Sequence, residues 1–230
     1  MQPINANNAL DALHTLYVAG TGGGKTTAVK KLGPKEKDQV VFWDPHQDYD
    51  QFRGRPVRRY TCFKRFFQAL HESRKSLRGF KIALTVEETR KNFLKFCEIV
   101  KTQGDGDHPK RLHVVIEELP QVTEGIGKEK GSYGWLMTVG RKFGFIVHSI
   151  GQRTTEMSKT TLSQSPIKWI GIQNSRADAK RMADEADIPI EDILRLRPLE
   201  YFLKSPGIGN YKFGKLRVTS RHTSQSPIQK

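Results

Sequence analysis

The nine residues AGTGGGKTT at Ala19–Thr27 constrain this chain more than any other feature. They follow an apolar β-rich run at Thr15–Ala19 and lead into a segment that reads as a helix from Gly24 to Leu32. A glycine-rich turn between strand and helix can wrap around a phosphate chain, because its backbone N–H groups then point inward and the helix N-terminus favours negative charge. Gly20, Thr21, Gly22, Gly23 and Gly24 supply that turn. Lys25 is placed to reach the outer phosphates, and Thr26, followed by Thr27, to offer a hydroxyl to a Mg²⁺ ion. The first position of the pattern G-x-x-x-x-G-K-[ST] is Ala19, and it requires only a small side chain. A nucleotide such as ATP, with Mg²⁺, is the ligand this chemistry predicts.

Strand-like runs alternate with helical ones along the chain, which predicts an α/β fold with a mainly parallel sheet and crossover helices. Strands are expected at Val40–Asp44, Lys81–Val86, Leu112–Ile116, Phe145–Ile150 and Ile167–Ile172. Helices are expected over Phe63–Lys75, Glu87–Thr102, Gly131–Phe143 and Arg176–Ala186. Within Glu87–Thr102, Phe93, Phe96, Cys97 and Val100 recur at the spacing of one helix face. From Leu199 onward two short strands flank PGIGN, the pattern of a β-hairpin.

The run LHVVIEEL at Leu112–Leu119 ends an apolar strand in two adjacent acids. A carboxylate at such a strand tip can enter a Mg²⁺ shell, and a second one beside it can orient and activate a water. Glu117 is the expected metal-shell residue and Glu118 the expected base. The paired acids favour hydrolysis over phosphoryl transfer to a small molecule, which requires water to be excluded. Gln152, at the end of the strand from Phe145, is placed to present an amide to the γ-phosphate or to the attacking water. Arg141 and Arg153 are candidates for neutralising charge, commonly from a neighbouring subunit; a finger of this kind contributes about 10³ to 10⁵ in rate.

Composition narrows the partners. The 230 residues fit one α/β domain and carry a formal net charge of +15, with a pI near 9.9, which predicts a polyanionic partner. Cys62 and Cys97 stand far apart, with no His or Cys at metal-ligand spacing, so neither a zinc site nor a disulfide framework is expected. His46, His113 and His148 are expected to pack rather than to ligate. No run approaches the roughly 18–20 apolar residues of a membrane span. The first fifteen residues lack both a positive leader and an apolar core, so a chain made in the cytosol without a signal peptide is expected.

Together AGTGGGKTT, VVFWDPHQDYD (Val40–Asp50), VVIEEL and GRKFGFIVHSIGQRTTEMS resemble the FtsK/HerA superfamily of DNA-pumping ATPases. Asp44, Pro45, His46 and Tyr49 match the D-P-H-x-x-Y motif of its HerA-like members. Gln152 and Arg153 match part of their S-Q-R-P segment, with Gly151 and Thr154 in the flanking places. The resemblance spans roughly residues 15–186. It implies a RecA-like (ASCE) P-loop NTPase core, strand order 5-1-4-3-2, assembled as a ring, commonly a hexamer, around double-stranded DNA. A bare motor of this size is similar to the genome-packaging ATPases of tailless icosahedral viruses with an internal membrane. That likeness implies work in the host cytoplasm, incorporation in the virion at a packaging vertex, and docking on capsid-vertex or viral membrane proteins. The expected division is an ATPase domain over 1–217 and a polar, basic, mobile tail over 218–230. Basic residues of Phe63–Lys75 or of the loop Gly125–Gly134 are the candidates for tracking the DNA backbone. Two rival readings are a nucleotide kinase and an assembly or export protein that binds ATP only as a switch.

Overall fold

The computed structural model of the chain describes residues 2–217; the tail expected over 218–230 lies outside them. From the N-terminus, β1 (Thr15–Val18) leads through the glycine loop into α1 (Lys25–Leu32), and β2 (Gln39–Trp43) follows. A small ribbon, β3 (Gln51–Phe52) with β4 (Arg55–Pro56), precedes β5 (Arg58–Tyr60), α2 (Phe63–Arg74) and β6 (Phe80–Leu84). Next come α3 (Arg90–Lys101), β7 (Leu112–Ile116), the single turn α4 (Leu119–Val122) and α5 (Gly131–Thr138). The chain continues with β8 (Phe145–Gly151), α6 (Lys159–Gln164), β9 (Ile167–Gly171), α7 (Arg176–Ala186) and α8 (Ile190–Leu194). It closes with β10 (Glu200–Lys204) and β11 (Tyr211–Lys215).

The large sheet has the order β11-β10-β9-β1-β8-β7-β2-β6-β5. Its centre, β9-β1-β8-β7-β2, is the order 5-1-4-3-2, and every pairing within it is parallel. β6 and β5 extend one edge in parallel, while β10 and β11 extend the other as an antiparallel hairpin. Central strands buried on both faces carry near-continuous apolar runs, as VVFW and VVI do here. Alternate residues serve opposite faces. Leu16, Val18, Val41, Trp43, Val114, Ile116 and Val147 join the large core beneath α2, α3, α5 and α7. Tyr17, Phe42, Val115, Ile150 and Trp169 join the smaller core beneath α1 and the β3–β4 ribbon.

The helix expected over Gly131–Phe143 is divided: α5 stops at Thr138, and Gly140–Phe143 forms a 3₁₀ turn ending on Gly144 at φ 79°. Glycines and β-branched Val139 at that point weaken α-helix propagation. α3 begins at Arg90 rather than Glu87, because the Thr89 side chain accepts from the Asn92 N–H and so caps the helix there. Two of the three histidines, His113 and His148, pack as expected, while His46 is exposed. His113 Nδ1 lies 2.9 Å from His148 Nε2 with the two rings stacked, and His46 meets Glu88 at the surface. Among the described residues no group of three His, Cys, Asp or Glu side chains is placed to hold a metal by itself, and no helix is long and apolar enough to cross a membrane.

Candidate active site

All parallel strands of the centre point their C-terminal ends to one edge, so the loop after β1, the acids after β7 and the amide after β8 emerge together. They line a cleft of about 350 Å³ bounded by Thr21, Gly22, Gly24, Lys25, Thr26, Thr27, Asp48, Glu117, Glu118 and Gln152. The loop's geometry depends on glycine. Gly24 has φ 94°, and a Cβ there would meet Leu199 Cδ2 at 2.9 Å. A Cβ on Gly20 would sit 2.2 Å from Asn174 Oδ1. Lys25 is buried, and its Nζ donates to the carbonyls of Ala19 at 3.0 Å and Gly20 at 3.4 Å, so the ammonium is held across the loop. Burial lowers its pKa, and the nearby Glu118 and Glu117 oppose that shift.

Glu117 is 3% exposed. Register explains what holds it: β2 pairs with β7 so that Trp43 faces Ile116, and the next residues, Asp44 and Glu117, stand side by side at the strand tips. Asp44 is fully buried and folds the following turn by accepting from the N–H groups of Asp48 at 2.8 Å and Tyr49 at 3.4 Å. It also accepts from Arg59 at 3.3 Å. That turn delivers the Tyr49 hydroxyl to Glu117, to which it donates a short hydrogen bond. Burial pushes the Glu117 carboxyl up; the Tyr49 bond opposes this, the acids Asp48, Glu118 and Asp44 add to it, and the pKa stands at about 7. The D-P-H-x-x-Y match therefore has a physical content that the sequence did not disclose: its Asp and Tyr position the strand-tip acid of β7.

Glu118 adopts the left-handed conformation, φ 46° and ψ 44°, at the entry to α4. For a residue with a Cβ this costs about 1–2 kcal/mol, and such strain concentrates where side chains must be aimed. The effect is to turn its carboxylate back toward β8. Gln152 Nε2 donates to Glu118 Oε1 at 2.9 Å, and the Thr21 hydroxyl donates to Gln152 Oε1 at 2.7 Å.

The two arginines go to opposite ends of β8. Arg153 follows Gln152 on the cleft side, is exposed, and pairs with Glu156 at 2.7 Å. Arg141 precedes β8, about 20 Å away along the strand at roughly 3.3 Å per residue. Its guanidinium donates to the carbonyls of Asn8 (3.0 Å) and Leu10, tying the N-terminal segment to the sheet. Two further residues, which sequence patterns did not single out, shape the cleft. Asp48 lines it directly. Asp178 accepts from Thr154 Oγ1, from the N–H and Oγ1 of Thr155, and from Ser175, fixing the turn that carries Arg153. Burial pushes the Asp178 carboxyl up, but the bonds from Ser175, Thr155 and Thr154 outweigh it and hold the pKa below its ordinary value. The signal was present as S-R-A-D at Ser175–Asp178, a Ser cap with an acid three residues on, akin to a capping box.

The donor set fits a magnesium nucleotide. A glycine cradle opens a helix, a buried lysine crosses it, and hard oxygen donors stand at Thr26 and Glu117. Mg²⁺ is usually bound by one or two protein oxygens together with substrate phosphates.

Fold and site together define a P-loop NTPase of the RecA-like type, the core shared by FtsK/HerA-type ATPases. The chain belongs to the family of Protein P9 of Pseudoalteromonas phage PM2, to which it is 31% identical over 200 residues, covering 85% of this chain and 87% of that protein. No protein-family model matches it. Among solved structures, the genome packaging NTPase B204 from Sulfolobus turreted icosahedral virus 2, in complex with ATP-gammaS, superposes with a TM-score of 0.69. The match covers 90% of this chain and 98% of that one at 12% identity. The bacterial conjugative coupling protein TrwB superposes with a TM-score of 0.66 over 94% of this chain and 87% of its own, at 13% identity.

Proposed function

We propose that the protein is an ATPase that moves double-stranded DNA, acting in viral genome packaging as an oligomeric ring. The observation that carries this reading is the alignment of Thr21, Gln152 and Glu118 at the cleft edge, where an acid capable of activating water is tied to the phosphate loop. A switch protein has no need of such a base, and a kinase is harmed by one. The membership in the family of Protein P9 and the likeness in fold to a packaging NTPase and a coupling protein support the choice of a DNA motor.

In this reading Lys25 and the loop N–H groups hold the phosphates of ATP, and Thr26 and Glu117 hold Mg²⁺. Bound there, Mg²⁺ neutralises charge on the phosphate oxygens and orients them for in-line attack. Glu118 takes the proton of the attacking water. Gln152 holds that carboxylate and senses the γ-phosphate. Arg153 is the better-placed trans-acting arginine of a neighbouring subunit, because it stands exposed on the cleft edge.

The contact with DNA is assigned to the loop 123–130. It follows Glu118 after the single turn of α4, and the Lys159 N–H, seven residues past Gln152, donates to its carbonyls at Ile126 and Gly127, both at 3.0 Å. Both catalytic strand exits thus grip one loop. Its acids are engaged: Arg90 pairs with Glu129 at 3.2 Å and Glu124 at 3.4 Å. Lys128, Lys130 and Lys159 are exposed, with no ion pair among the described residues. By contrast α2, the other candidate, packs on β5 and β6 at the far edge of the sheet.

The deciding experiment measures ATP hydrolysis with and without long duplex DNA, for the wild type and Glu118→Gln. Strong stimulation that disappears in the variant is expected. Hydrolysis indifferent to DNA, or intact in the variant, overturns the motor reading.

A further inference from the structure

The phosphate loop and the strand-tip acids do not touch through the sheet, because β8 lies between β1 and β7. Register places Val18 opposite Gly151, and Ile116 opposite Ser149, so the residue leaving β8 has the loop on one side and Glu118 on the other. That residue is Gln152, and it uses both ends of its amide. Nε2, which only donates, faces the Glu118 carboxylate at 2.9 Å; Oε1, which only accepts, takes the Thr21 hydroxyl at 2.7 Å. Gln152 is half-buried and long, so it loses considerable rotamer freedom when fixed. A β-branched residue, stiff about χ1, is well suited to supply the fixing bond.

We propose that Thr21 is a positioning residue for hydrolysis: its hydroxyl tethers the Gln152 amide against Glu118, so that the setting of the glycine loop around a phosphate chain is transmitted to the water-activating carboxylate. The proposal rests on Glu118 being the base. Thr21 thereby has two separable duties, a backbone N–H that belongs to the phosphate cradle and a hydroxyl that belongs to Gln152. A change that deletes the hydroxyl but keeps the shape acts on turnover rather than on nucleotide binding.

The test compares turnover and the directly measured affinity for a fluorescent ATP analogue in Thr21→Val, Thr21→Ser, Gln152→Ala, the Thr21→Val/Gln152→Ala pair and Glu118→Gln. Thr21→Val is expected to lower kcat about tenfold, the effect of losing one positioning hydrogen bond, with affinity within about twofold of wild type. The retained affinity also reports that the variant is folded. Thr21→Ser restores turnover, and Thr21→Val adds nothing once Gln152 is Ala, since two residues acting through one bond are not additive. The tether is overturned if Thr21→Val weakens binding with kcat intact, if Thr21→Ser is as impaired as Thr21→Val, or if the Thr21 and Gln152 losses multiply. Wild-type hydrolysis by Glu118→Gln removes instead the base on which the tether acts. An inactive Glu118→Gln with multiplying losses at Thr21 and Gln152 leaves the base in place and removes only the tether.

Discussion

Glu118 pays a conformational cost for its direction. Its αL backbone is retained because neighbouring bonds fix it on both sides. Glu117 is held by Tyr49 and by its own N–H to Trp43 at 3.3 Å, and Gln121 closes a turn onto the Glu118 carbonyl at 3.0 Å. Replacing Glu118 by Gly and by Ala removes the carboxylate equally, but only Gly enters the αL region without strain. The Gly variant is therefore expected to be more stable than the Ala variant by about 1 kcal/mol in urea denaturation, both being inactive. Equal midpoints show that the backbone at this position carries no strain. At this scale sequence reading named Glu117, Glu118 and Gln152 as the site's polar side chains. It gave no warning of the αL turn, because Glu-Glu-Leu-Pro encodes no glycine or asparagine to announce it.

Among the elements, the loop 123–130 has the clearest testable consequence. Lys128, Lys130 and Lys159 are exposed, and in the proposed contact with DNA each phosphate that such a lysine neutralised would release counterions. Substituting Lys128 and Lys130 by Gln is expected to leave the DNA-independent ATPase rate near wild type while reducing DNA stimulation. The slope of log affinity against log salt should shrink by about 2, one for each phosphate that a lysine no longer neutralises. Unchanged stimulation and slope assign DNA binding to another surface. The sequence offered two basic segments and no way to choose between them. What separates them is distance from the strand exits that line the cleft, a property of strand order: β7 and β8 are central, whereas α2 covers the edge strands β5 and β6.

Global stability carries a signature of the molecule's buried titrating groups. His14 is buried, its Nδ1 accepts from the Val147 N–H at 3.0 Å, and burial, with Arg111 and Arg141 adding, lowers its pKa to about 4. Burial likewise lowers His113, opposed by Asp38, and lowers His148, to which His113 and His14 add. A base with a depressed folded pKa binds its proton mainly in the unfolded state. Its contribution is full above about 6.5 and is lost as pH falls toward about 4. Glu117 acts oppositely: its pKa of about 7 means the folded state retains a proton that the unfolded state releases, so its contribution falls as pH rises from about 4.5 to 7. For His14 alone the loss between pH 7.5 and pH 5 is about 2 kcal/mol. In His14→Asn, whose Oδ1 can replace the Nδ1 acceptor, the difference in urea midpoint between those pH values is expected to shrink accordingly. An undiminished difference excludes His14 as its source.

The phosphate loop, the acids at the tip of β7, the amide at the tip of β8 and a parallel α/β sheet ending in a hairpin are all legible in the chain before it folds. Those features depend on local rules: glycine's backbone freedom, apolar runs that fill a buried strand, and polar residues stationed where a strand stops. Folding of the whole sheet was needed to bring Tyr49 to Glu117, to link Thr21 to Glu118 through Gln152, and to set Arg141 against the N-terminal segment. Each of these joins residues from different strands or distant segments. Their meeting is set by which strands become neighbours and in what register, and those are outcomes of packing the whole sheet rather than of any short stretch of chain.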